Sequence, residues 1–90
     1  MVCIELRPDL SNCIETLSKK EYERILSLLL GQEVMDEGLL KKIEVLRLFL
    51  ESTNFSHLRS QYEKHLTQGR KVLFRIYPEQ GAVSYKLIVE

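Results

Sequence analysis

The sequence predicts an α+β fold. It indicates three helices, or four if a short one forms near the N-terminus, before a C-terminal antiparallel β-hairpin that a short N-terminal strand can join. Apolar residues recur at helical spacing through residues 18–69 and alternate with other residues from residue 72 onward, with a break at Pro78–Gly81. A period near 3.6 indicates helices and a period of 2 indicates strands. Because the helices and the hairpin are separated along the chain, we expect one α+β domain over residues 1–90.

The N-terminal residues predict a short strand and then an optional helix. Residues 2–6 alternate between apolar and other side chains, which is typical of an edge strand, and Pro8 would end it. Residues 8–17 can form a short helix, in which Asn12 and Glu15 have the spacing of a weak capping box. This helix would be the fourth.

Residues 18–31 predict the first long helix. Ser18 and Glu21 have the spacing of a capping box, and Gly31 is a typical C-terminal stop. The spacing of the apolar residues predicts an inward stripe made of Tyr22, Ile25, Leu26 and Leu29.

Residues 36–53 predict a second long helix with little polar surface, after a connecting loop at residues 31–38 whose last residues overlap the helix start. Asp36 can cap its N-terminus. The apolar side chains cover an arc of about 160° on a helical wheel. Leu40 and Leu48 fall outside that arc. A chain of 90 residues has little material to cover such a helix on all sides, so we favour an interface here.

The last helix and the hairpin follow. Thr53, Asn54 or Ser56 can cap the helix, Gly69 would end it, and its inward stripe comprises Phe55, Leu58, Tyr62 and Leu66. In the hairpin we expect Pro78 at the first central position of a type I turn and Gly81 as its left-handed residue. One hairpin face is apolar, and the other is mixed.

Charge weakens the case for a strong polyanion binder. The chain carries 13 basic and 13 acidic side chains, a formal net charge of zero. Residues 1–53 hold seven basic and ten acidic residues (−3), and residues 54–90 hold six and three (+3). Strong non-specific affinity for nucleic acid comes from many unopposed phosphate contacts. The charge asymmetry between residues 1–53 and 54–90 is real but mild, so it does not predict strong binding to a polyanion.

The histidines and cysteines do not predict a catalytic or metal site. His57 and His65 lie eight residues apart on one helix, about 12 Å along its axis, whereas zinc holds its nitrogen ligands at about 2 Å. Cys13 can lie at a helix N-terminus, where the backbone dipole lowers a thiol pKa, but no pattern links a base to it. Whether Cys13 or Cys3 is reactive stays open. We expect no enzymatic activity, metal or cofactor.

One hypothesis is nucleic-acid binding. Three helices followed by a hairpin resemble the winged-helix layout, in which the third helix reads a groove and the hairpin contacts the backbone. The neutral net charge and an acid, Glu79, at the tip of the hairpin count against it. The candidate contacts are His57, Arg59, Gln61 and Lys64 on the helix, and Arg70, Lys71, Arg75 and Lys86 on the hairpin.

The leading hypothesis is protein association, with a homodimer favoured. Several apolar residues fall outside the predicted core-facing stripes, and one small core would not be expected to leave so many uncovered: Leu40, Leu48, Leu73, Tyr77 and Ile88. The alternative is that an N-terminal strand covers the hairpin or a loop covers the helix. The N-terminus has no basic, apolar leader pattern, and no apolar run reaches the roughly 18 residues of a membrane helix. We therefore expect a cytoplasmic protein with no membrane partner.

Overall fold

The computed structural model describes residues 2–31 and 36–90 and confirms the α+β class. Within that part of the chain, three helices stand between a short strand and a C-terminal hairpin. The elements in chain order are β1 (Ile4–Leu6), α1 (Ile14–Leu30), α2 (Glu37–Ser52), α3 (Phe55–Thr67), β2 (Val72–Glu79) and β3 (Ala82–Val89).

The N-terminal strand joins the hairpin, as expected. The sheet is antiparallel with the order β1-β2-β3. β1 lies alongside β2, with Ile4 opposite Ile76 and Leu6 opposite Phe74. β1 therefore extends the sheet sideways and does not cover its face. We call the face with Ile4, Phe74 and Ile76 the inner face, because it packs against the helices, and the opposite face, with Arg75 and Lys86, the outer face.

The predicted start of α1 is wrong. One helix runs from Ile14, so no separate fourth helix forms at residues 8–17 and Ser18 caps nothing. Ser18 is fully buried within the helix, and its Oγ donates to the Ile14 carbonyl at 2.7 Å. Residues 9–12 instead form a turn, since the Asp9 carboxylate accepts the backbone N–H groups of residues 11 and 12.

A tertiary contact fixes the N-terminus of α1. The Ile14 N–H donates to the Tyr62 hydroxyl of α3 at 3.1 Å, in a buried position. The first N–H groups of a helix have no partner within it, and here a side chain 48 residues away supplies one. A local capping pattern cannot reveal this start. Leu26 also departs from prediction: it is 38% exposed and lies outside the buried stripe of α1.

The caps of α2 and α3 agree with prediction. Asp36 Oδ1 accepts the N–H groups of Gly38 and Leu39 at 2.8 and 3.2 Å. Asn54 Oδ1 accepts the N–H of His57 at 3.1 Å. The predicted loop between α1 and α2 lies, at residues 32–35, outside the described part of the chain.

The hairpin turn is tighter than predicted. Glu79 pairs with Ala82, so the turn has two central residues, Gln80 and Gly81, with φ of 49° and 79°. Two consecutive positive φ values are typical of a type I′ turn, whose twist matches that of the flanking strands. Pro78 is therefore a strand residue opposite Val83 and not part of the turn. It lies beyond the last pair of β1 with β2, where a missing N–H is tolerated.

Aromatic rings form a connected series through the core. Phe49 of α2 meets Phe55 of α3 and Tyr85 of β3, at centroid distances of 5.5 and 6.1 Å. Phe74 of β2 meets Tyr62 and Tyr85 at 5.4 and 5.8 Å. Most of these contacts are edge-to-face, a geometry that adds roughly 0.5–1.5 kcal/mol per pair beyond area burial. The series holds α2 and α3 against the inner face of the sheet.

Candidate interaction surfaces

The two histidines of α3 do not form a metal site with other ligands. The Nε2 atom of His57 lies 3.2 Å from the Gln61 side-chain nitrogen, and His57 is exposed. His65 is half-buried. Over residues 2–31 and 36–90, no group of three or more His, Cys, Asp or Glu side chains is arranged to hold a metal ion.

Cys13 does lie at a helix N-terminus, at the N-cap of α1. Its Sγ is 3.1 Å from the Thr16 hydroxyl, and hydrogen bonds from the Thr16 side chain and backbone lower the pKa of the thiol. The clefts beside it, towards Arg59 and Tyr62, have volumes of about 90 and 110 Å³. Pockets that enclose small-molecule ligands are usually about 300–1,000 Å³. The lowered pKa of the Cys13 thiol is thus not accompanied by an adjacent cavity of substrate size.

Removal of the Thr16 hydroxyl is expected to make the Cys13 thiol less acidic. In a Cys3→Ser background, Thr16→Val should move the pH midpoint of Cys13 alkylation to higher pH, because the hydroxyl no longer stabilises the thiolate. Alkylation rates measured across pH by mass spectrometry give the midpoint. Ser11→Ala, on the neighbouring turn, should leave it unchanged. An unchanged midpoint in Thr16→Val would show that the hydroxyl does not act on the thiolate.

The candidate nucleic-acid contacts lie on two sides of the molecule. α3 packs on the inner face through Tyr62, and the exposed Lys64 lies on the opposite side of this helix, whereas Arg59 borders the clefts beside Tyr62 and Cys13. Arg75 and Lys86 face each other across strands on the outer face. The contacts on α3 therefore do not share a face with Arg75 and Lys86, whereas Arg70 and Lys71 line a groove that also includes Leu66 of α3.

The local charge balance of these residues is also modest. Arg59 pairs with Glu63 at 3.5 Å, and Arg75 pairs with Glu5 of β1 at 3.4 Å. Arg70 and Lys71 line an open groove of about 690 Å³ at the end of α3, together with Arg7 and two acids. Of the four remaining candidates, His57 and Gln61 bond to each other, and Lys64 and Lys86 are exposed. Positive charge is thus dispersed and partly neutralised.

The candidate association residues differ widely in exposure. Leu73 points to the outer face, opposite Ile88 of β3, but is only 5% exposed. Leu40 is half-buried and packs against the core. Leu48 on α2, and Tyr77 and Ile88 on the outer face, are half-buried. These residues do not form one patch. Leu40 and Leu48 belong to α2, which packs on the inner face of the sheet, whereas the other three residues lie on the outer face.

Two apolar features were not predicted from the sequence. Leu28 and Leu30, in the last turns of α1, are 43% and 80% exposed. The second feature is the β3 edge, by which we mean the side of β3 that faces away from β2. The hydrophobic alternation of the hairpin revealed both strands, but only the position of β1 next to β2 shows which strand is left at the edge.

The β3 edge exposes backbone hydrogen-bonding groups. Glu90 N–H donates to the Lys71 carbonyl at 2.8 Å, and Ala82 closes the turn opposite Glu79. Because such bonds alternate along an antiparallel pair, the even-numbered residues of β3 bond to β2. The odd-numbered residues present their N–H and C=O groups at the edge, where no strand from residues 2–31 or 36–81 pairs with them: Val83, Tyr85, Leu87 and Val89.

Comparisons with known proteins place the chain in a family. None of the described helices is long and apolar enough to cross a membrane. No curated protein and no solved structure matches the chain. A protein-family model matches residues 1–90. Because the match extends over the full sequence, the chain belongs to that family.

Proposed function

We propose that the protein is a small cytoplasmic, non-enzymatic domain that acts by protein association, and that a second copy of the chain is its partner. The observation that supports this most strongly is the β3 edge. β3 has eight residues, a regular register against β2 without a bulge, and one charged side chain, Lys86. Monomeric proteins usually protect an edge strand of this length with several charges, a proline or a bulge.

The helical layer also leaves β3 partly uncovered. Val83, Tyr85 and Leu87 point to the inner face but are only half-buried, and Val89 is 37% exposed. On β2, by contrast, Phe74 and Ile76 are fully buried on the same face. Apolar side chains that are half-covered next to unpaired backbone groups are typical of a surface that a partner completes.

Other features are consistent with a role that needs no catalysis. The clefts beside Cys13 are too small for a typical ligand. Both cysteines are free thiols, which fits a reducing compartment.

Sedimentation equilibrium or light scattering between about 1 and about 200 µM protein tests the proposal. We expect the mass to rise with concentration from that of the 10.6 kDa chain to twice that value. A mass that stays monomeric over the whole range would contradict self-association. Titration of labelled DNA duplex and single strands with the protein at two salt concentrations tests the nucleic-acid alternative. Binding that weakens steeply with salt, by a protein that remains monomeric, would favour the nucleic-acid role instead.

A further inference from the structure

The β3 edge is self-complementary in one antiparallel register. The outward-facing backbone groups belong to odd-numbered residues, so a second β3 must oppose odd residues to odd residues. If Tyr85 lies opposite Tyr85 of the second copy, Val83 lies opposite Leu87 and Ala82 lies opposite Ile88. This register overlaps nearly the whole of β3 (Ala82–Val89). It forms about six inter-chain hydrogen bonds.

The alternative registers are poorer. A register centred on Lys86 would place two lysines directly opposite each other, which is destabilising. A register centred on Leu87 would pair a shorter part of β3 (Ala82–Val89), since only residues 85–89 would then lie opposite residues of the second β3. With Tyr85 at the centre, Lys86 faces the uncharged Ser84 of the second copy on the outer face.

The inner side of the β3 edge offers space for the partner's side chains. A cleft of about 240 Å³ lies between the end of α2, the start of α3 and β3, and Phe49, Val83 and Tyr85 contribute to its lining. In the Tyr85-centred register, Leu87 of the second copy lies beside Val83, at this cleft. An aliphatic side chain there would cover the half-buried rings.

From this geometry we infer that two copies of the chain pair through β3 about a two-fold axis at Tyr85, so that their two three-stranded sheets become one continuous sheet. The inference rests on the proposed self-association and specifies its surface and register. Such isologous pairing uses the same strand twice, so it closes at the dimer and leaves only the β1 edges, each three residues long, at the ends of the sheet.

Charge substitutions at Ser84 test the register, because it predicts whether each substitution raises or lowers the dimer Kd. Ser84→Lys places a lysine opposite Lys86 of the second copy at two symmetric positions, and we expect the dimer Kd to rise about 3- to 30-fold. Ser84→Glu places a carboxylate there and should lower the Kd. The double variant Ser84→Lys/Lys86→Glu restores opposite charges and should return the Kd to near the wild-type value. Ser84 is on the outer face, opposite Tyr77 of its own chain, and is not a core residue.

The outcomes separate the pairing mode from self-association itself. Dimers whose Kd is unchanged by both single substitutions, or shifts with the reverse sign, would overturn the Tyr85-centred pairing and leave the proposed function intact. A wild-type protein that is monomeric throughout would overturn both. Leu30→Glu is the control, because it places a charge on a different exposed apolar surface, the end of α1, and should leave the Kd unchanged. Dissociation by Leu30→Glu alone would move the interface to α1.

Discussion

Phe74→Ala is expected to destabilise the protein by about 3–5 kcal/mol. Phe74 is fully buried within the aromatic series, where it contacts both Tyr62 and Tyr85. Its removal leaves a cavity and breaks the link from the sheet to α3. A domain of this size has a stability of roughly 5–13 kcal/mol, so the loss is a large share of the total.

Urea denaturation at one fixed protein concentration measures this change, since association would otherwise shift the midpoint. Lys86→Ala, on the exposed outer face one residue from the strand partner of Phe74, is the matched control. Its effect should stay within about 0.5 kcal/mol. Comparable losses in both variants would contradict the placement of the core on the inner face.

Tyr62→Phe is expected to cost about 1–3 kcal/mol, although it removes only one oxygen atom. The Tyr62 hydroxyl accepts the buried N–H of Ile14 at 3.1 Å. Without it, that N–H has no acceptor, and the start of α1 should fray. Hydrogen exchange at the Ile14 amide, together with urea denaturation, reports the effect. Tyr77→Phe, on the outer face, should change stability by less than about 0.5 kcal/mol.

The same tyrosine predicts a dependence on alkaline pH. Burial raises the pKa of Tyr62 above its ordinary value of 10.0. The contribution of the neutral hydroxyl to stability is complete below pH 10.0 and is lost as the pH rises towards and through the folded-state pKa. We expect the alkaline loss of stability to be smaller in Tyr62→Phe than in the wild type. An identical loss in the two proteins would assign it to other groups.

Local sequence signals predicted the elements that local interactions determine. Asp36 and Asn54 begin helices because their carboxyl and amide oxygens reach N–H groups two or three residues away. The alternation on either side of the turn predicted both strands of the hairpin. The start of α1 escaped prediction, because Tyr62 is distant in sequence. Ser18 suggested a cap because serine favours that position, whereas its Oγ bonds within the helix.

Strand pairing in the sheet overrides the local turn preference of Pro78, and it also determines the β3 edge. Pro78 favours a type I turn in isolation, but the register of β2 with β3 requires a two-residue turn and places Gln80 at a positive φ. The alternation correctly placed Leu73 on the outer face. Its burial could not be predicted, because the alternation places a side chain on a face but does not show what covers it there. The β3 edge depends on the strand order of the sheet.

Residue-resolved hydrogen exchange at low and high protein concentration tests the central claim most directly. The amides of Ser84, Lys86 and Ile88 bond to β2 and should be protected at both concentrations. Those of Val83, Tyr85 and Leu87 lie on the β3 edge and should exchange rapidly in the monomer but slowly once the dimer forms. Rapid exchange of these three amides in a sample that is shown to be dimeric would contradict pairing through β3.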